Sequence, residues 1–349
     1  MLDSNEGLPS PFDRKEPDET DLWFLPGREA DAGDFQLSPL PRADRRLPFD
    51  PAEWRQAQGD LSAELARLAV RFGALDERLG SLGEGIRQRL AIWEVADLSW
   101  WTGARIGAAR LTLRIGLHLG GGMDDSLALA QAGWAVRRLT SGQGPSKGGW
   151  RDGIGAFLGR NRGDAASAPN DVEELVEVME ACQTLHPVTQ GAVLFHAWRI
   201  AGQGPARDLE AAVMAACHGA SFGRGRALFL PLAMSGVAAL RASGSAYSKL
   251  AAWIEGAEQA TLSASAELDR LVNWQKAARA AISDLSGRTP RMLIDLLAAW
   301  PMVSAPMAEV QIEVSRAAVQ RNLEMMEGRG LIREITGQGR YRVWVVRHP

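Results

Sequence analysis

Leu61, Leu65, Leu68, Phe72, Leu75 and Leu79 recur at spacings of three and four, with Arg67, Arg71 and Glu77 off that stripe. This spacing lines one face of a long α-helix and does not suit the two-residue period of a strand. Helical patterning returns over 84–102, 103–119, 126–139, 171–184, 187–200, 206–218, 226–240 and 245–280. Asp124 or Asp125 stands where it can cap the helix that starts at Ser126. The segment 141–170, rich in Gly, Ser, Pro and Asn, reads as loop with one short helix near 151–160. No internal repeat and no sustained alternation interrupts the pattern between residues 50 and 285. The expected architecture is therefore mainly α, a multi-helix bundle of roughly ten helices.

Composition narrows the class. At 46% hydrophobic residues the chain can fill a core, so global disorder is excluded. No apolar run approaches the roughly 18 residues of a membrane span. The first thirty residues are acidic and lack an apolar leader core, so the expected compartment is the cytoplasm. Cys182 and Cys217 are too few for a disulfide framework or a four-cysteine zinc site. The excess of Arg over Lys reads as genome composition.

The charge is unevenly spread. The net charge of −3 excludes coating nucleic acid by bulk attraction, so any DNA contact needs a local basic face. Residues 1–46 carry 11 acids, 6 bases and 6 prolines, which predicts an extended arm. Its one apolar island, Leu22-Trp23-Phe24-Leu25-Pro26, either packs on its own domain or docks a partner chain. Residues 315–347 carry 7 Arg against 3 Glu, so positive charge collects near the C-terminus.

That basic segment has its own pattern. Thr289-Pro290 opens a helix through Leu293, Leu296, Leu297 and Trp300, which Pro301 stops. Ser304 to Ile312 form a second helix, with Pro306 in its first turn. Ser315 stands as N-cap of a third, in which Val319, Leu323 and Met326 make the buried stripe. Arg316, Ala317, Gln320, Arg321 and Glu324 point away from it, and Gly328 and Gly330 end the helix. Leu331–Thr336 then alternates as a strand, Gly337-Gln338-Gly339 turns, and Arg340–Val346 returns. Three helices followed by a β-hairpin predict a winged helix-turn-helix, whose third helix enters the DNA major groove. The candidate DNA contacts are Ser315, Arg316, Ala317, Gln320 and Arg321 on the helix, and Arg333, Gln338, Arg340 and Arg342 on the hairpin. A module of this kind can equally serve as a protein-interaction or dimer domain.

Two resemblances attach to this tail. "VSRAAVQRNLEMMEGRGLIREITGQGRYRVW" resembles the C-terminal helix-turn-helix of an uncharacterised, often plasmid-borne bacterial family. In that family a helical domain of unknown function precedes the DNA-binding domain, and "LDERL", "AGWAVRRL" and "HPVTQGAVLFHAW" look compatible with the helical part. The likeness implies DNA binding and no further activity. The tail, with the helix Trp253 to Ala260, is also similar to the ends of Fic-type nucleotidyl transferases. Their motif is His-Pro-Phe, two variable residues, then Gly-Asn-Gly-Arg. Here His186-Pro187-Val188-Thr189-Gln190-Gly191 keeps only His, Pro and one Gly, which implies a degenerate scaffold without transfer activity.

Other chemistry is weakly written. His186 and His196, ten residues apart on one helix, cannot share a metal, and with His218, Cys182 and Cys217 they lack ligand spacing. They are expected to be buried histidines with hydrogen-bond partners and apolar cysteines. Gly142–Gly149 places Lys147 after Ser and no strand before it, so it is not a phosphate loop. Phe222-Gly223-Arg224-Gly225-Arg226 reads as a loop whose two Arg could meet an anion. Trp100 and Trp101 cannot both face one core, so one is expected at a pocket or interface.

The sequence thus predicts three parts: an arm (1–46), a helical domain of unknown function (47–284) and a winged helix-turn-helix (285–349). It predicts a regulator of transcription that binds double-stranded DNA as a homodimer, through a body that dimerises or senses a signal. No catalysis, cofactor, metal or membrane is expected, and the effector is open. The alternative is an interaction or scaffold protein derived from the Fic-like fold.

Overall fold

A computed structural model describes residues 49–117, 126–160, 169–202, 204–337 and 342–348. The acidic arm, the proposed Asp124 or Asp125 cap, Gln338 and Arg340 lie outside the described residues. The remainder follows the helical reading closely, with one large exception.

The periodic stripe becomes α2 (Ser62–Gly80), which follows α1 (Pro51–Asp60) almost without a break. Asp50 caps α1 by accepting the Ala52 N–H at 2.8 Å, and Pro51 begins it where no intrahelical donor is needed. All six apolar residues of the stripe are buried. They pack against α10 (Ala246–Ala281), a 36-residue helix that also touches α1. Arg67 and Arg71 clasp Glu258 at 3.0 and 2.9 Å across that seam, and Arg78 reaches Asp269 at 2.5 Å.

α3 (Glu84–Trp101) is buried on several sides and packs against α4 (Ala108–Leu117) and α5 (Ser126–Thr140). α4 starts later than its periodicity suggests. Gly103 and Arg105 take left-handed conformations there, and the Ser99 hydroxyl accepts the Ile106 N–H at 2.9 Å, which ties off the turn. α6 (Trp150–Leu158) and α7 (Pro169–Ala181) lead to a central pair, α8 (Pro187–Ala201) and α9 (Arg207–Gly219). These two are buried along most of their length. Gly191 permits the contact, since a Cβ there would sit 3.0 Å from the Ala215 carbonyl.

The exception is 226–240, expected as a helix. It contains only a 3₁₀ turn at Ala239–Arg241, and the chain before it is irregular although much of it is buried. Buried backbone donors must find partners, and here two carboxylates from distant helices supply them. Asp76 accepts the N–H groups of Arg224 and Arg226 at 2.6 and 2.7 Å, and that of Ala227 at 2.5 Å. Glu94 accepts those of Leu232 and Ala233 at 2.9 and 3.0 Å. Pro231, between the two sets, has no N–H to give to a helix.

The C-terminal part contains α11 (Arg288–Ala299), β1 (Val303–Ser304), α12 (Ala305–Ile312), α13 (Arg316–Gly328), β2 (Ile332–Glu334) and β3 (Val343–Val346). The strands form one antiparallel sheet in the order β1-β3-β2. Sequence reading found the hairpin and missed β1, whose two residues pair as Val303 with Trp344 and Ser304 with Val343. Two residues carry no period, so no pattern could announce them. The fold class is thus mainly α with a small sheet, as the sequence predicts. No described helix is long and apolar enough to cross a membrane.

Candidate nucleic-acid interface

The third helix of the C-terminal module is placed by its stripe. Val319, Leu323 and Met326 are fully buried, against a core that includes Leu293, Ile294, Leu297, Met307 and Trp344. Ser304 caps α12 by accepting the Met307 N–H at 3.3 Å. Between α12 and α13, Glu313 takes a left-handed conformation (φ 52°, ψ 47°) that most residues avoid. This re-aims the chain within three residues, so α13 follows α12 after a sharp turn.

The opposite face of α13 is open. Ser315, Arg316, Ala317, Gln320, Arg321 and Glu324 are all exposed. Ser315 occupies the N-cap position but makes no side-chain cap bond. Arg321 has no ion-pair partner among the described residues, and neither does Arg333, exposed on β2.

Three predicted contacts are engaged within the protein. Arg316 donates through Nε to Glu309 of α12 at 2.7 Å. Arg342, just before β3, donates to Glu324 at 3.1 Å and to Glu327 at 3.0 Å. Its guanidinium lies 4.9 Å from the centre of the Trp344 ring. Gln320 Nε2 approaches Glu324 at 3.4 Å. Glu334 folds the chain after β2 by accepting the N–H groups of Thr336 and Gly337 at 2.6 and 2.9 Å. The bond from the Thr336 hydroxyl, foremost, holds its carboxyl below the usual range.

Sequence reading missed Glu309, which lies across a turn from Arg316 with no helical register between them. The role of Arg342 did have a signal. Glu324 and Glu327 are three apart on one helix, and Arg342 and Trp344 are two apart along a strand direction, so each pair shares a side.

The module is seated on the helical body. Buried Arg89 of α3 donates to the Leu297 carbonyl at 2.9 Å and to that of Trp300, which satisfies the free end of α11. Trp274 of α10 donates through Nε1 to the Leu331 carbonyl at 2.7 Å. Arg329, at the end of α13, grips Asp284 with two bonds of 2.7 and 2.8 Å. Gly85 touches α11 so closely that a Cβ would fall 2.4 Å from that of Ala299.

The other candidates have local duties. His186 caps α8 by accepting the Val188 N–H on Nδ1 at 3.2 Å, and burial lowers its pKa. His218 lies 2.8 Å from Gln190 through Nε2 and 3.4 Å from Ser146 through Nδ1, and burial lowers its pKa to about 4. His196, pushed to about 3 by burial first, has no partner on Nε2, contrary to the hydrogen-bonded state expected for it. Cys182 and Cys217 are buried thiols, raised by burial to about 11 and about 12. Among the described residues, no three His, Cys, Asp or Glu side chains converge as a metal requires. In the Phe222–Arg226 loop it is backbone N–H groups that meet an anion, the chain's own Asp76, while Arg224 pairs with Glu77 at 3.0 Å. Trp101 packs on Phe195 at 5.8 Å, and Trp100 is the exposed member of its pair.

Residues 290–346 match a protein-family model described as an HTH DNA binding domain. The match begins inside α11 and ends with β3, so it covers the three helices and the sheet. No curated protein matches the chain.

Proposed function

We propose that this chain is a sequence-specific DNA-binding protein that regulates transcription, with α13 in the major groove and the β2–β3 hairpin as its wing. The observation that carries the reading is the division of α13: one face wholly buried, the other presenting Arg316, Gln320 and Arg321 at its N-terminal half. Those residue types suit base edges and phosphates. Ser315, Ala317, Arg333 and, between β2 and β3 in sequence, Gln338 and Arg340 complete the proposed contact set. One such module makes few phosphate contacts, so a homodimer on half-sites roughly 34 Å apart supplies the remaining affinity. The body, 47–284, serves dimerisation or signal reception. The reading includes no catalytic role. In support, His186 is committed to capping a helix and His218 to Gln190.

The second reading, an interaction or scaffold protein on a degenerate Fic-like body, is favoured by one observation. Glu309 faces Arg316, and Glu324 and Glu327 face Arg342, which lowers the positive potential of the surface.

A gel shift on a random DNA pool across salt separates the two, with the intact chain beside an Arg316/Arg321/Arg340 triple alanine. Enrichment of one motif, lost in the triple variant, is the expected result. A shift that fades with salt and enriches nothing reduces the binding to incidental electrostatics. No shift at low salt moves the assignment to the interaction reading.

A further inference from the structure

We infer that Arg342 is a positioning residue that holds the hairpin against the third helix, and not a phosphate contact. The inference rests on the DNA-binding reading for its functional consequence, but its structural part can be tested without DNA.

The geometry is specific. Arg342 sends one terminal nitrogen to Glu324 and the other to Glu327, so a single guanidinium spans two carboxylates one helical turn apart. Glu327 is also held by the Trp344 indole N–H at 3.1 Å, and it approaches the Glu334 N–H at 3.4 Å. The Arg342 side chain is only 25% exposed. Its guanidinium carbon lies 4.9 Å from the centre of the Trp344 ring, which is buried in the module core. Helix α13 and both strands of the hairpin therefore meet at Glu327. A phosphate would have to displace two carboxylates to claim this Arg. Arg321 and Arg333, exposed and without such partners among the described residues, offer their charge at no such cost.

The second acid gives the brace a link to recognition. Glu324 accepts from Arg342, and it also lies 3.4 Å from Gln320 Nε2. Arg342 thus fixes the carboxylate toward which the Gln320 amide turns its NH2 end. That ties the amide of a side chain exposed on the face proposed for bases. Loosening Arg342 frees both the hairpin and the Gln320 amide.

Charge-preserving and charge-removing variants separate the roles. Lysine keeps the charge but cannot bridge two carboxylates in a fixed fork. If Arg342 is a brace, Arg342→Lys and Glu327→Gln both weaken binding to the enriched DNA motif, roughly ten-fold, with the slope of log affinity on log salt unchanged. Amide hydrogen exchange at 332–335 and 343–346 then quickens in both variants, while α2 and α10 keep their protection. If Arg342 is a phosphate contact, the signs reverse. Arg342→Lys then binds like the parent, Glu327→Gln binds more tightly because the competing acid is gone, and Arg342→Ala lowers the salt slope by about one. That pattern overturns the inference. If the parent chain binds no DNA, the DNA reading fails, and hydrogen exchange alone decides the brace. Strand amides as slow in both variants as in the parent also overturn it.

Discussion

At the scale of single residues, the interface is decided by which charges are already spoken for. Arg321 is exposed and unpaired among the described residues, so it is the cation on α13 most available to a base or phosphate. Arg321→Ala is expected to cost about 1–3 kcal/mol of affinity if it reads a base, with specificity relaxed at one position. Equal loss on every sequence would reassign it to phosphate. Arg316 differs because Glu309 holds it at 2.7 Å, with both partners exposed. A surface ion pair of this kind is worth about 0–1 kcal/mol, so breaking it costs little fold stability. It does compete with DNA for the guanidinium. Glu309→Gln should therefore leave the melting temperature nearly unchanged and tighten DNA binding most at low salt. Titrations of parent and variant at two salt concentrations check this, and weaker binding in Glu309→Gln would mean that Glu309 orients Arg316 instead of restraining it.

At the scale of elements, the helices were legible and the buried loop was not, for physical reasons. A helix satisfies its own backbone, so the apolar spacing of Leu61 to Leu79, or of Val319, Leu323 and Met326, suffices to reveal it. The segment 224–233 satisfies its backbone through Asp76 and Glu94, more than a hundred residues away, and nothing local marks that. The apolar content of 227–233 resembled a helix face because most of that stretch is buried like one. The exposed face of α13 was likewise legible from period alone, whereas the ion pairs of Arg316 and Arg342 depend on how separate elements are juxtaposed. The loop gives a sharp expectation. Asp76→Ala leaves the donors of Arg224, Arg226 and Ala227 without their acceptor, at about 1–3 kcal/mol for each that stays buried and unpaired. The variant should melt well below the parent, with exchange of those amides accelerated first. Asp76→Asn keeps one acceptor oxygen and should fall between. A melting temperature for Asp76→Ala equal to the parent's would show that the loop has other partners.

At the scale of the whole molecule, the titration of buried groups ties stability to pH from both sides. Glu94 is fully enclosed, and burial raises its pKa to about 8 despite the N–H groups of Leu232 and Ala233 that pull it down. In the unfolded chain a Glu titrates near 4.3. Between those values the folded state binds more protons than the unfolded one, so stability falls as pH rises through the window. His196 and His218 act in the opposite sense. Their folded pKa values, about 3 and about 4, lie below the roughly 6.5 of an unfolded His. The unfolded state then binds the extra protons, and stability falls as pH drops below that value. From about 4.3 to 6.5 the two effects oppose each other. Above that the Glu94 effect dominates, with a slope of up to about 1.4 kcal/mol per pH unit until pH 8, and the raised thiols of Cys182 and Cys217 add to it only as pH nears about 8.5. Urea unfolding at pH 6.5 and pH 8 should therefore show a clear loss in the parent. Glu94→Gln, which cannot ionise, should have nearly the same stability at both. The measurement also reaches the DNA-binding module, because Glu94 belongs to α3, the helix whose Arg89 closes the end of α11. If the fold unfolds as one unit, the module loses its near-UV signal at the same urea concentration as the body, at either pH. Two separated transitions, with only the first moving with pH, would instead assign Glu94 to a body that melts independently of the module it carries.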